Sequence, residues 1–225
     1  MIKIKLQNRT YKMPKRWTIQ QWKDIMACDM DNPLHWAKIM SIGFGEPYHK
    51  FTGVSDNSLL LGASLILNRL NDRRPVKMID FTTLNFGQWV DLDIWFVNGI
   101  EKHLDEILET LTTKKIKYID EAFYVIDQYS NFRISTYRSY SGLFGLNDRM
   151  EQEDGEQDFD PQQIAKGWYK IIVDLSDNNL SRIDQTTEEP LYKTLSFMSL
   201  RKERQLKEEQ QKLKQQRRND LSRNR

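Results

Sequence analysis

Ile2, Ile4 and Leu6 alternate with Lys3, Lys5 and Gln7, and Tyr11 and Met13 follow just before Pro14. Alternation with a period of two puts every other side chain on one face of a strand. Residues 2–13 therefore predict a strand or a short hairpin around Asn8-Arg9. The period then lengthens. Thr18-Ile19-Gln20-Gln21 fits a capping box, in which hydroxyl and amide satisfy the first free N–H groups of a helix. Trp22, Ile25 and Met26 continue at helical spacing. Asn32-Pro33 is a second helix start, with Pro at the first helical position. Leu34, Ala37, Ile39 and Met40 carry that helix to a stop at Gly43-Phe44-Gly45. Residues 56–71 predict a third helix with Leu59, Leu60, Ala63, Ile66, Leu67 and Leu70 on one face. Arg73-Arg74-Pro75 ends it, and Val76-Lys77-Met78-Ile79 is expected to be a short strand pairing with the first.

Residues 86–97 and 100–111 predict two helices separated by Asn98-Gly99, a pair suited to ending a helix. Helix is also expected from Ile119 to Tyr129 and from Phe132 to Tyr140. Between Asn147 and Asp160 stand seven acids and one Arg, a composition that cannot bury itself, so 147–160 is expected to be a mobile loop. Asp160-Pro161 starts a helix that buries Trp168, Ile171, Ile172 and Leu175 and ends at Asp177-Asn178-Asn179. A polar link, Asp184 to Glu188, leads to a last helix that begins at Pro190 and contains no further Gly or Pro. The fold class expected is mainly α. A helical body, residues 1–185, carries a small N-terminal β element, and residues 186–225 form an amphipathic and then basic C-terminal helix or tail.

Charge sharpens this division. From Arg201 onward ten Lys/Arg stand against four Asp/Glu, so the segment is about +6 and residues 1–200 are near −4. Six Trp, nine Tyr and ten Phe supply enough large side chains for a real core. The single cysteine, Cys28, excludes an internal disulfide and a Cys-based zinc cluster, and its apolar neighbours suggest a buried side chain. No apolar run approaches the roughly 20 residues of a membrane span, and the N-terminus lacks the apolar stretch of a signal peptide.

Catalytic and metal-binding patterns are missing. His35, His49 and His103 are scattered, with no pair at the spacing that presents two imidazoles together. Asp91 and Asp93 resemble paired carboxylates, but residues two apart on a helix point away from each other, and both are expected on a solvated edge beside Trp89 and Trp95. Gly142-Leu143-Phe144-Gly145 lacks the central serine of a nucleophile elbow. Gly43-Phe44-Gly45 has neither the third Gly nor the Lys-Ser/Thr of a phosphate loop. No catalytic residue, cofactor or metal is expected.

The surface is the remaining place to look. Trp17, Trp22, Trp36, Trp89, Trp95 and Trp168 sit in helical patterns and read mostly as core, although Trp and Tyr are also enriched where proteins bind each other. In the last helix Leu191, Leu195 and Met198 can dock on the body, whereas Leu206 and Leu213 alone cannot sustain a coiled coil. The basic end has three readings: a helix that engages a partner, a merely solvated helix, and a nucleic-acid contact. No aromatic side chain is available there for base stacking, and interleaved Glu residues weaken a phosphate-tracking surface. The residues expected to meet a protein partner are Trp89, Trp95, Tyr192, Phe197 and Met198.

Three stretches resemble the small assembly proteins of tailed bacteriophages, particularly the tail assembly chaperone type. They are the opening strand with Met13-Pro14-Lys15-Arg16-Trp17-Thr18, the central Leu84-Asn85-Phe86-Gly87-Gln88-Trp89-Val90-Asp91-Leu92, and Glu189-Pro190-Leu191-Tyr192-Lys193-Thr194-Leu195 before the charged helix. The resemblance implies a non-enzymatic protein of the infected host cytoplasm. It would shield the apolar helices of a tape-measure protein and recruit tail-tube subunits. A structural component of the virion tail or baseplate, or a nucleic-acid-binding protein using the basic tail, are the alternatives, with nucleic acid the less expected partner.

Overall fold

The computed structural model describes residues 3–6, 9–144 and 161–223. The fold is mainly α, with one two-stranded antiparallel sheet near the N-terminus. The strands are β1 (Lys3–Leu6) and β2 (Arg9–Lys12). The helices are α1 (Ile19–Met26), α2 (Pro33–Phe44), α3 (Asp56–Arg69), α4 (Phe86–Asn98), α5 (Leu104–Leu111), α6 (Ile119–Ser139), α7 (Ser141–Phe144), α8 (Pro161–Leu175), α9 (Ile183–Glu188) and α10 (Leu191–Arg223). The expected acidic loop, 147–160, lies outside the described residues. Two compact units share the chain: Met1–Ile79 with Leu104–Ser130, and Asp80–His103 with Asn131–Arg225.

In the first unit the hairpin registers Ile4 opposite Tyr11 and Lys5 opposite Thr10. Tyr11 turns inward, its ring 5.0 Å from that of Phe51 and 5.7 Å from that of Phe44. The capping box forms as expected: the Gln21 N–H donates to the Thr18 hydroxyl, and the Gln21 side chain accepts from the Thr18 N–H. Asn32 caps α2, and Gly45 ends it with φ 67°, a left-handed conformation that costs a glycine little. Helices α2 and α3 meet through reciprocal glycines. A Cβ on Gly43 would fall 2.3 Å from Cδ1 of Ile66, and one on Gly62 would fall 2.3 Å from the Met40 sulfur. That contact centres the buried face of α3 on Leu59, Gly62, Ala63 and Ile66 and leaves Leu60 exposed, contrary to expectation. Cys28 is buried, and burial raises its thiol pKa, away from the reactive thiolate.

A second departure concerns residues 76–79. They form no strand with the hairpin. Met78 makes a single bridge with Thr112, and the Ile79 N–H donates to the Leu111 carbonyl at 3.1 Å. Leu111 is the last residue of α5, so its carbonyl has no partner within that helix, and the passing segment satisfies it. Arg16 fastens the N-terminal segment to α6. Its guanidinium grips Asp120 at 2.6 and 2.8 Å and reaches Glu121 at 2.8 Å. The hydrogen bond to Asp120 is the main cause holding its pKa above the ordinary value.

In the second unit α4 opens on a capping box, Asn85 with Gln88. Its end at Gly99, φ 108°, is followed by a turn, so α5 starts at Leu104 and not at residue 100. Helix α6, expected as two stretches over 119–140, is continuous from Ile119 to Ser139, its residues to Ser130 counted in the first unit and the rest in the second. After α8, Asp177 and Asn178 take positive φ values of 55° and 57° and reverse the chain. The expected polar link at 184–188 is the short helix α9.

Candidate functional site

Helix α10 is built into the second unit by its first three turns. Just before it the chain pairs with the segment preceding α4: the Phe86 N–H donates to the Glu189 carbonyl at 2.8 Å, and the Leu191 N–H to the Leu84 carbonyl at 3.1 Å. Leu191, Leu195 and Met198 are buried, as the spacing of apolar residues predicts. Tyr192 meets the rings of Phe132 and Tyr140 at centroid distances of 6.3 and 6.4 Å. Tyr140 and Ser196 share a hydroxyl hydrogen bond of 3.0 Å. Arg201 pairs with Asp174 at 3.2 Å, and the Lys202 ammonium donates to the Leu143 carbonyl at 3.0 Å. Beyond Lys202 no packed side chain is found among the described residues. Every side chain from Glu203 to Arg217 is exposed.

Beneath this surface lies a polar hub. Asp93 is 2% exposed, so the expectation of a solvated edge is wrong for it, although Asp91 does face solvent. Helix geometry turns residues two apart to different sides, and the side Asp93 occupies faces α6 and α8. Its Oδ1 accepts from Arg133 Nε at 2.6 Å and from the Tyr137 hydroxyl at 2.8 Å, while Oδ2 accepts from Trp168 Nε1 at 2.7 Å. Burial and the adjacent Asp93 carboxylate push the Tyr137 phenol above its usual range. The carboxylate accepts from side chains of two other helices and so joins α4, α6 and α8. Among the described residues no group of three or more His, Cys, Asp or Glu is placed to hold a metal.

The five residues expected to meet a partner are placed very differently. Trp89 is 0% exposed, with Phe132 and Tyr137 rings at 6.1 and 5.7 Å. It presents no surface in this structure. Met198, 8% exposed, faces inward with Leu195. Trp95 is half-buried and stacks on His103 at 6.1 Å. Tyr192 is partly open, and Phe197 is 57% exposed. The structure thus brings Tyr192 and Phe197 to the surface and adds Leu200, 55% exposed, one turn beyond Phe197. Leu180, 79% exposed, is a further apolar group of this unit.

Phe197 also borders a groove of about 550 Å³ whose lining includes Leu175, Arg182, Thr186, Lys193 and Thr194. Two ion pairs edge it, Arg182 with Asp177 and Lys193 with Glu189. In the first unit an opening of about 540 Å³ beside the hairpin is lined by Arg9, Thr10, Tyr11, Glu46, His49 and Lys50. There Lys50 and Glu46 neutralise each other. Leu200 and Leu180 were missed because hydrophobicity alone marks them as core. Only the direction in which α10 turns its docked face distinguishes Leu200 from Leu195. No protein-family model matches the chain, and no curated protein or solved structure does so either.

Proposed function

We propose that this chain is a non-enzymatic protein-binding module, and that its setting is the tail assembly role the resemblance implies, with a tape-measure or tail-tube protein as partner. One observation carries this reading. Helix α10 is 33 residues long, yet among its described side chains only those of the first turns are packed, and those of residues 203–217 are all exposed. Helices gain most of their stability from packing an amphipathic face. A long projecting helix gains that packing when a second polypeptide lies against it. Phe197, which borders the groove, and Leu200 stand where the packed part gives way to the projecting part, and supply the apolar contact that such binding requires. Trp89 and Met198 form no part of this surface.

The test is co-expression of the full chain with a tape-measure protein. The expected outcome is a soluble complex that survives size-exclusion chromatography, with Phe197→Glu and Leu200→Glu each weakening it. A chaperone role further requires the chain to be abundant during infection and missing from purified particles by mass spectrometry. Stoichiometric copies in particles would make it a resident tail component instead. Failure to bind any tail protein, with the fold intact by circular dichroism, would refute the module itself.

A further inference from the structure

Phe197, Leu200, Arg204, Lys207, Gln211 and Lys214 follow one another along α10 at alternating steps of three and four residues. That spacing keeps a single seam of one helix facing a second helix along their whole contact. All six side chains are exposed. The seam differs from the side of α10 that docks, which is marked by Leu191, Leu195 and Met198. Its composition changes along its length: two apolar positions come first, then three cations with one amide among them. Glu203 and Glu208 flank it, one on each side.

We propose that this seam receives one helix of a partner protein, whose facing positions are apolar where they meet Phe197 and Leu200 and acidic where they meet Arg204, Lys207 and Lys214. The inference rests on the protein-binding reading and supplies the partner's chemistry. Charge selects this occupant over two others. A second copy of the same seam would set cations against cations when parallel, and cations against Phe197 and Leu200 when antiparallel, so self-pairing is disfavoured. A nucleic-acid backbone would meet Glu203 and Glu208 on the two sides of Arg204 and Lys207, and like charge there repels phosphate. A partner helix with basic residues on its flanks turns the same two glutamates into attractive contacts. Continuity adds a further argument. Phe197 and Lys193, one turn earlier, both line the groove, so a bulky apolar side chain near the end of the partner helix has a place to enter.

The experiment uses the full chain and a fluorescent synthetic helix carrying Leu and then Glu at its seam positions and Lys on its flanks. A scrambled helix of the same composition and a random-sequence DNA duplex serve as comparisons, and binding is read by fluorescence anisotropy at low and moderate salt. The designed helix is expected to bind at least about tenfold more tightly than the scrambled one, and to weaken as salt rises. Joint replacement Arg204→Glu, Lys207→Glu and Lys214→Glu should lower its affinity by about 30-fold or more, because three attractions become repulsions. Circular dichroism should show the helix retained. Equal binding of the scrambled helix, or an unchanged affinity in the triple variant, would overturn the proposal. So would DNA that binds more tightly and competes through the same three cations. If the triple variant still captures the tape-measure protein at full strength while Phe197→Glu does not, only this partner chemistry fails. Loss of all tail-protein binding defeats the broader function as well.

Discussion

Asp93 shows how much one buried charge can hold in place. Its carboxylate is satisfied by Arg133, Tyr137 and Trp168, from two other helices. Replacing it with alanine removes the acceptor of the Tyr137 hydroxyl and the buried Trp168 N–H as well as the carboxylate beside Arg133, and a buried donor left unsatisfied typically costs about 1–3 kcal/mol. Asp93→Ala should therefore lower the unfolding free energy by that order in urea titrations, and Asp93→Asn, which keeps one acceptor oxygen, by less. Tyr137 adds a pH dependence. Its phenol is held above the ordinary value of about 10. Below that pH both states keep the proton; above it the unfolded chain releases it while the folded chain retains it, so stability falls as pH rises. Chemical denaturation across alkaline pH should show this decline, and Tyr137→Phe should flatten it. The spacing of Asp91 and Asp93 told correctly that the two part company. It could not tell which one is buried, because helix geometry relates residues to one another and not to the rest of the fold.

Among elements, caps were the most legible. Thr18 with Gln21 and Asn32 with Pro33 sit where their local hydrogen bonds demand, since a cap is complete within a few residues. The Asn85–Gln88 box works in the same way. Asn85→Ala should cost about 1 kcal/mol, measurable as a shift in denaturation midpoint. Helix contacts were harder to read. Nothing in the run of leucines from Leu59 to Leu61 distinguishes the packed side, which Gly62 and Gly43 decide by permitting close approach of α2 and α3. Gly43→Ala should destabilise by about 1–3 kcal/mol through overpacking. Gly62→Ala should cost less, because the Met40 thioether can move aside whereas the β-branched Ile66 is stiff. Residues 76–79 failed as a strand for a related reason. A four-residue segment with three apolar side chains takes whatever hydrogen-bonding partner lies nearest, and here that is the end of α5.

For the molecule as a whole, stability and binding should separate along α10. Truncation after Lys202 removes only exposed side chains among those described, so it should change the unfolding free energy by no more than about 0.5 kcal/mol. It should also reduce the helical circular dichroism signal and abolish capture of a partner helix. A large loss of thermal stability would mean that the projecting part supports the fold. The sequence by itself determined the mainly α class, the hairpin, most helix starts and stops, and the change from an apolar to a basic C-terminal helix. Each of these is written in spacing, caps and charge over a few turns of chain. Only the tertiary structure decided that Trp89 and Met198 are core, that Phe197 and Leu200 are surface, and that Asp93 is a hub. Those outcomes depend on which face of each helix meets another element, and that choice is made by contacts between residues far apart in the chain.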